Sequence, residues 1–159
     1  MSEKNLLDPS DIRVLRILQR DASLSIADIA REAGMSQTPC WRRIKKLKES
    51  GVIRQIVAVV DREAVGLGFV AYAFVKLTVP SRDNMETFDK LVQRWQEVVI
   101  CERITGAVDY LIKVVADDIK GYDDFLRLKL LDNTLVSDVQ SRIVVHTVKH
   151  TVALPLRET

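Results

Sequence analysis

Arginine and lysine side chains are concentrated in one short stretch of this 159-residue chain. Between Cys40 and Arg54 there are six basic residues and only one acidic residue. A guanidinium group can bind a guanine edge through two parallel hydrogen bonds, and a lysine ammonium group binds phosphate. The net charge of the whole chain is only +2, so its charge distribution makes this stretch the candidate polyanion-binding segment.

The spacing of these residues is typical of a helix with one apolar and one cationic side. A helix has 3.6 residues per turn, so a helix over residues 37–50 segregates them. The apolar side carries Cys40, Ile44 and Leu47, and the opposite side carries Thr38, Arg42, Lys45 and Glu49. A DNA-reading helix needs this division, because one side packs while the other contacts bases and phosphates. A solvated amphipathic surface helix would show the same pattern.

Two further helices are predicted just before this one. Asp8-Pro9 is a helix start, and this helix ends near Asp21. Ser25 is expected to cap a second helix over 26–33, and Ser36 is expected to cap the third. Gly34 and Gly51 follow the second and third helices as stop signals. This arrangement is a helix-turn-helix, which favours the DNA-binding interpretation over the solvated helix.

The predicted DNA contacts divide by chemistry. Arg42 is the candidate for direct base readout, and Lys45 and Lys46 are candidates for phosphate contacts. Arg43 points toward the packed side, where it either pairs with a carboxylate or reaches phosphate. Trp41 either contacts DNA or covers the helix turn. The remaining candidates are Gln37, Thr38 and Ser25, of which Ser25 has capping as its alternative role.

The rest of the chain predicts an α+β domain. Residues 52–60 are rich in β-branched side chains and predict a strand. After a connector, the order strand, helix, strand, strand, helix, strand follows. Its ranges are 69–79, 84–97, 98–105, 110–115, 119–131 and 136–148. This order predicts a ferredoxin-like βαββαβ sandwich and domains over 1–52, 53–68 (strand linker) and 69–159. One face of such a sheet carries no helix, so we expect a dimer.

The order of elements and three motifs resemble the Lrp/AsnC ("feast/famine") family of bacterial and archaeal regulators. The motifs are Ser36-Gln37-Thr38-Pro39-Cys40-Trp41-Arg42-Arg43-Ile44, Glu49-Ser50-Gly51-Val52-Ile53 and Thr105-Gly106-Ala107-Val108-Asp109-Tyr110-Leu111. The resemblance implies a winged helix-turn-helix and a RAM/ACT-like amino-acid-sensing domain. It also implies homodimers that assemble further, commonly into octamers, and binding to double-stranded DNA.

The resemblance also implies an effector site at the turn Thr105, Gly106, Ala107, Val108 and Asp109, which in the family meets a neighbouring dimer. Loop amides can bind the carboxylate of an amino acid, and Asp109 can accept its ammonium group. The facing wall would come from Gln140, Arg142 and Val144. The alternative is that Gly106 and Asp109 serve only the hairpin turn.

A finer resemblance, to the cysteine-responsive branch of the family, makes cysteine one candidate effector. It is carried by Thr38-Pro39-Cys40-Trp41, Gly66-Leu67-Gly68 and the tail Val148-Lys149-His150-Thr151-Val152-Ala153-Leu154-Pro155. Two other functions share parts of this architecture: a sirohaem-decarboxylase-like enzyme and a stand-alone amino-acid sensor. A DNA-binding regulator without enzymatic activity is the leading prediction.

The remaining side chains argue against metal and disulfide chemistry. Cys40 and Cys101 are too few for a disulfide framework or a zinc site, and we expect both to be buried hydrophobes. His146 and His150 have no acidic or thiol partner at ligand spacing. We therefore expect no metal and no cofactor beyond the effector. No apolar run is long enough to cross a membrane and no signal core is present, so a cytoplasmic, nucleoid-associated protein is expected.

Overall fold

Three helices follow one another at the N-terminal end of the computed structural model, which describes residues 7–157. They are α1 (Pro9–Arg20), α2 (Ile26–Glu32) and α3 (Gln37–Glu49). Together with a C-terminal tail they form one unit, 7–59 and 149–157, and residues 60–148 form a second. The helix-turn-helix order predicted from the caps is confirmed.

Side-chain capping explains where the first two helices begin. The Asp11 amide donates to the Asp8 carboxylate at 2.8 Å, and the Asp8 amide donates back to Asp11 at 3.3 Å. The Asp28 amide donates to the Ser25 hydroxyl at 3.2 Å, and that hydroxyl donates to the Asp28 carboxylate at 2.6 Å. The α1 pair is a capping box and the α2 contact is a simple cap, and both satisfy an amide that has no partner within the helix. Ser36 occupies the cap position of α3, but its side chain makes no capping hydrogen bond, so that prediction is only half right.

The core of the first unit is the apolar side of the three helices. Val14 and Cys40 are completely buried, and Ile29 and Leu47 are each 2% exposed. Burial raises the pKa of the Cys40 thiol, because the thiolate loses its hydration. Cys40 is thus the small buried hydrophobe that its position predicts.

The segment after α3 corrects one prediction. Residues 52–60 form no strand, although their β-branched composition favours an extended chain. A strand exists only beside a hydrogen-bonded neighbour, and no described residue pairs with 54–60 through its backbone. Ile56 and Val59 are 51% and 79% exposed. Composition alone could not reveal that residues 7–157 contain no partner for this segment.

The second unit is a four-stranded antiparallel sheet with helices on one face. Its strands lie in the order β2-β3-β1-β4, as the ferredoxin-like prediction requires. They are β1 (Phe69–Leu77), β2 (Val98–Arg103), β3 (Tyr110–Ala116) and β4 (Val136–Ile143). The helices are α4 (Arg82–Val92) and α5 (Ile119–Phe125), which continues as a π-helical turn over Leu126–Leu131.

Alternate residues of the central strands build the core of this unit. The helix-facing residues include Ala73, Val75, Tyr110 and Ile112, all completely buried. Phe88 of α4 packs on Tyr110 with ring centroids 4.7 Å apart. Packing against α4 and α5 therefore determines which face of the sheet is buried.

Both ends of one helix and the end of one strand differ from the sequence prediction. Helix α4 begins two residues earlier than predicted, because the Ser81 hydroxyl accepts from the Asn84 amide, and it ends at Val92 rather than near residue 97. Strand β4 ends at Ile143, not at Val148. Residues 149–157 cluster with the first unit, and the predicted domain bounds 1–52, 53–68 and 69–159 stay a prediction.

Candidate nucleic-acid interface and effector site

The outward side of α3 is predominantly cationic. Arg42, Lys45 and Lys46 are exposed, while Ile44 and Leu47 hold the helix in the core. Trp41 is 50% exposed, and the Lys45 ammonium lies 5.3 Å from its ring centroid. The same ammonium is 3.7 Å from Glu49. These solvent-exposed contacts are weak, so Lys45 can exchange them for phosphate.

The first turn of α3 presents the two predicted polar contacts. Gln37 and Thr38 are both exposed. Ser25, in contrast, exchanges hydrogen bonds with Asp28 at the start of α2, which supports its capping role. Its contact with phosphate stays a prediction.

Arg43 differs from its neighbours because its guanidinium group is already hydrogen-bonded to two carboxylates. Its Nη1 lies 2.5 Å from Asp8 and 2.7 Å from Asp11. The hydrogen bond from Arg43 holds the pKa of Asp8 below its usual value of 3.8, and the two carboxylates raise the pKa of Arg43. The structure thus shows the first of the two roles predicted for Arg43, which is pairing with a carboxylate.

The predicted effector turn lies at the end of the β2–β3 hairpin. Gly106 has a φ of +126°, a conformation that favours glycine. Asp109 is half-buried, and its carboxylate accepts the Leu77 amide at 2.7 Å while its own amide donates to Val75 at 2.9 Å. The register of β1 against β4 shifts between Lys76 and Leu77. Asp109 thus satisfies an amide at an irregularity in β1, a role that the sequence did not suggest.

The predicted facing residues lie elsewhere on the same sheet. Gln140 and Arg142 of β4 are exposed and pair opposite Phe74 and Tyr72 of β1. Strand β1 separates β4 from β3, and two strand spacings amount to about 10 Å. The Val144 amide donates to Val70 at 2.9 Å beyond the end of β4. A single chain therefore does not bring the turn and these three residues into one pocket.

Two cavities occur in the second unit, and residues outside the predicted effector site line them. One, of about 340 Å³, lies between α4 and β2 and includes Cys101, Arg103 and Tyr110. The Tyr110 hydroxyl donates to Asp89 at 2.9 Å, and Arg103 also pairs with Asp89. Burial and the Asp89 carboxylate raise the pKa of Tyr110 to about 12. Sequence reasoning missed this cluster, because its members are far apart in the chain and share no spacing signal.

The cavity also bears on the second cysteine. Cys101 is exposed at the sheet edge, so the expectation of a buried residue is wrong. Desolvation, then the charges of Asp89 and Glu102, raise the pKa of its thiol to about 11. A thiol that stays protonated is a poor nucleophile, so this shift lowers the reactivity of Cys101 at neutral pH.

The other cavity, of about 360 Å³, borders the π-helical turn. Its lining combines Trp95 and Leu128 with the polar residues Lys129, Asp132 and Asn133. The Lys129 ammonium pairs with Glu97 at 2.7 Å. Neither cavity includes a residue of the predicted effector site.

The acidic, thiol and imidazole side chains and the helices of residues 7–157 bear on metal binding and on membrane crossing. No group of three or more His, Cys, Asp or Glu side chains there is placed to hold a metal ion. Within the same residues, no helix combines the length and apolarity that crossing a bilayer requires.

Comparison with known proteins matches both units. A model of winged helix-turn-helix DNA-binding domains matches residues 7–54, and a model of the Lrp/AsnC ligand-binding domain matches residues 70–154. The chain is 34% identical over 153 residues to the transcriptional regulator AzlB of Bacillus subtilis, with coverage of 96% of this chain and 98% of that protein. It is also 34% identical to the DNA-binding transcriptional activator DecR of Escherichia coli, covering 95% and 99%.

A solved structure extends the match to three dimensions. A transcriptional regulator from Neisseria meningitidis, crystallised as a complex with L-Met, superimposes with a TM-score of 0.90 at 35% identity, covering 94% of this chain and 96% of that one. Identities near one third to several regulators do not select a branch, so the cysteine-responsive assignment stays a prediction. The helix-turn-helix, the ferredoxin-like domain and these full-length matches show that the chain is a transcriptional regulator of the Lrp/AsnC family.

Proposed function

We propose that this regulator acts as a homo-oligomer that reads DNA with α3 and changes its DNA occupancy when an amino acid binds between neighbouring copies. The observation that supports it most is the division of α3 into a buried apolar side and an exposed side bearing Arg42, Lys45 and Lys46. Binding in the major groove requires a helix that is held in place by packing and that presents cationic side chains to solvent.

The chemistry of the α3 surface assigns different tasks to its cations. Arg42 has no ion pair among the described side chains and is free to bind guanine O6 and N7 bidentately. Lys45 and Lys46 contribute phosphate contacts that fix the position of the helix without reading sequence. Two copies related by a twofold axis would read half-sites about 34 Å apart, one turn of DNA.

The helix-free face of the sheet is the proposed dimer interface. Phe74 of β1 and Leu111 of β3 are opposite each other and only half-buried on this face. Charges of both signs surround them, including Glu102 and Arg142. A twofold interface places one patch against its own copy, and mixed charges allow such a patch to be self-complementary. A higher assembly such as an octamer remains a proposal drawn from the family resemblance.

The effector site is proposed at a junction between copies. Within one chain the turn at 105–109 and residues Gln140 and Arg142 are on strands separated by β1, so a turn from another copy would have to complete the site. Among residues 7–157, no hydrogen bond reaches the second oxygen of the Asp109 carboxylate, which suits an ammonium group. Because a relative binds L-Met, amino acids are the ligand class to test.

The regulation follows from where the ligand would bind. A ligand at a junction between copies stabilises the arrangement that contains that junction. DNA occupancy changes only if the two arrangements bind DNA differently, and the two effects are reciprocal. The relatives favour this function over a sirohaem-decarboxylase-like enzyme; an absorption spectrum of the purified protein checks for a bound porphyrin.

The first experiment is thermal unfolding of the purified protein against a panel of amino acids. The panel includes methionine, cysteine, leucine and aromatic amino acids. A ligand at about 100 times its dissociation constant stabilises the folded state by roughly 2.7 kcal/mol, which raises the melting temperature by a few degrees. If no amino acid raises the melting temperature, the proposed amino-acid effector is contradicted, whereas the proposed DNA binding is unaffected.

The second experiment tests DNA reading. Duplexes that bind the wild-type protein are selected from a random pool, and fluorescence anisotropy measures their affinity at several salt concentrations. We expect one enriched sequence and a steep fall in affinity with salt. If no sequence is enriched, sequence-specific readout is wrong.

A further inference from the structure

The C-terminal tail lies against α1 of the DNA-binding unit. The Leu156 carbonyl accepts hydrogen bonds from Nε and Nη2 of Arg16, at 3.2 and 2.7 Å. Two residues earlier, the Leu154 amide donates to the Gln19 side chain at 2.6 Å, and the Gln19 amide group donates back to the Leu154 carbonyl at 3.2 Å. Side chains of α1 therefore hold the tail by its backbone, as a neighbouring strand would.

An apolar contact accompanies these hydrogen bonds. Leu156 is half-buried and packs against the core of the first unit, whereas Leu154 is 67% exposed. Pro155 lies between them and has no amide hydrogen to leave unsatisfied. A single anchoring side chain flanked by backbone hydrogen bonds is a specific docking arrangement.

The docked tail follows the second unit directly in the chain. The family model of the ligand-binding domain extends to residue 154, yet residues 149–157 belong to the DNA-binding unit. Only residues 144–148 join the docked tail to β4, and a five-residue segment spans at most about 18 Å. Strand β4 carries Gln140 and Arg142, two of the proposed effector contacts.

We propose that residues 149–157 are a strap that transmits changes at β4 to the DNA-binding unit. The strap adds a second connection to the one through residues 54–60. It is covalent along residues 144–148 and non-covalent where Arg16 and Gln19 bind the tail. A displacement of β4 on ligand binding pulls on α1 through Leu154 and Leu156. This proposal rests on the proposed function, because it deepens how the effector site regulates DNA binding.

The first test asks whether the tail docks, and it needs neither ligand nor DNA. Hydrogen exchange of the full chain is compared among wild type, Gln19→Ala and the matched control Gln96→Ala, which removes an exposed glutamine of the second unit. Loss of the two Gln19 hydrogen bonds should speed exchange of the Leu154 amide about tenfold. Equal exchange in all three proteins would overturn the strap.

The second test asks whether the strap transmits the effect of ligand binding to the DNA-binding unit. Leu156→Ser removes the apolar anchor without changing α1, and it is compared with Gln19→Ala and Gln96→Ala. The probe is the amino acid that stabilises the wild type most in the melting panel, with the duplex selected by the wild type. Both strap variants should keep the ligand-induced rise in melting temperature but lose the ligand-induced change in DNA affinity, which Gln96→Ala keeps.

The outcomes separate the strap from the function on which it rests. An intact DNA response in both strap variants overturns transmission. A wild-type protein with no ligand response overturns the proposed regulation, and transmission with it, whereas the exchange experiment still decides whether the tail docks.

Discussion

The guanidinium of Arg43 on α3 lies 2.7 Å from the carboxylate of Asp11 on α1, and this pair connects the predicted recognition helix to the start of the first helix. The Asp11 side chain is 3% exposed and that of Arg43 is 31% exposed. A carboxylate so deeply buried depends on its cationic partner, because an unpaired buried charge is costly. Arg43 thus stabilises the unit that presents Arg42 to solvent.

Replacing Arg43 should therefore destabilise the protein. We expect R43A to lower the free energy of unfolding by roughly 2–3 kcal/mol, at or below the low end for a broken buried pair because Arg43 is partly exposed. Urea unfolding followed by circular dichroism measures it. The neighbouring R42A, which removes an exposed arginine, is the control and should leave stability unchanged. Equal stabilities for the two variants would contradict a structural role for Arg43.

Replacing Arg42 should reduce sequence discrimination rather than stability. We expect R42A to narrow the affinity difference between the selected duplex and a scrambled one by about 1–3 kcal/mol. Fluorescence anisotropy at one salt concentration measures both affinities. Lys90→Ala, which removes an exposed cation of α4, controls for the change in net charge. If R42A discriminates as well as Lys90→Ala does, Arg42 is not the base-reading residue.

Replacing Lys46 should weaken all DNA binding equally. We expect K46A to bind selected and scrambled duplexes less tightly by the same factor and to reduce the slope of log affinity against log salt by about 1. The measurement is an anisotropy titration at four or more salt concentrations. An unchanged slope would show that Lys46 contacts no phosphate.

Two substitutions at Asp109 distinguish its proposed role in effector binding from its hydrogen bond with the Leu77 amide. D109A leaves the Leu77 amide without its acceptor and should cost about 1–3 kcal/mol of stability. D109N keeps a side-chain oxygen for that amide but removes the negative charge, so it should melt like the wild type while binding the amino acid about tenfold or more weakly. Calorimetric titration measures the affinity. Wild-type affinity in D109N would leave Asp109 with its structural role alone.

Acid should weaken the contact between α1 and α3. The hydrogen bond from Arg43 lowers the pKa of Asp8 below 3.8 in the folded protein. The resulting stabilisation is complete above the unfolded pKa and is lost as the pH falls through the folded one. We expect D8N, which keeps a capping oxygen, to flatten the loss of stability below about pH 4. Urea unfolding at pH 5, 4 and 3 measures this; equal slopes would assign the acid sensitivity to other carboxylates.

Local interactions explain what could be predicted from the sequence. Caps such as Asp8 and Ser25 bond to residues three positions away, and the apolar side of α3 repeats every three to four residues. These signals involve near neighbours in the chain. The order of strands and helices in the second unit likewise sufficed for its topology, because short connections leave few arrangements of a βαββαβ chain.

The sequence by itself thus determined the three helices, the ferredoxin-like order, the cationic side of α3 and the family resemblance. Only the tertiary structure decided that Arg43 binds Asp8 and Asp11, that Asp109 accepts the Leu77 amide, and that the tail docks on Arg16 and Gln19. It also decided that residues 54–60 have no strand partner within the part of the chain that the structure describes. Each of these outcomes depends on which distant groups the folded backbone brings together, and no spacing along the chain encodes that.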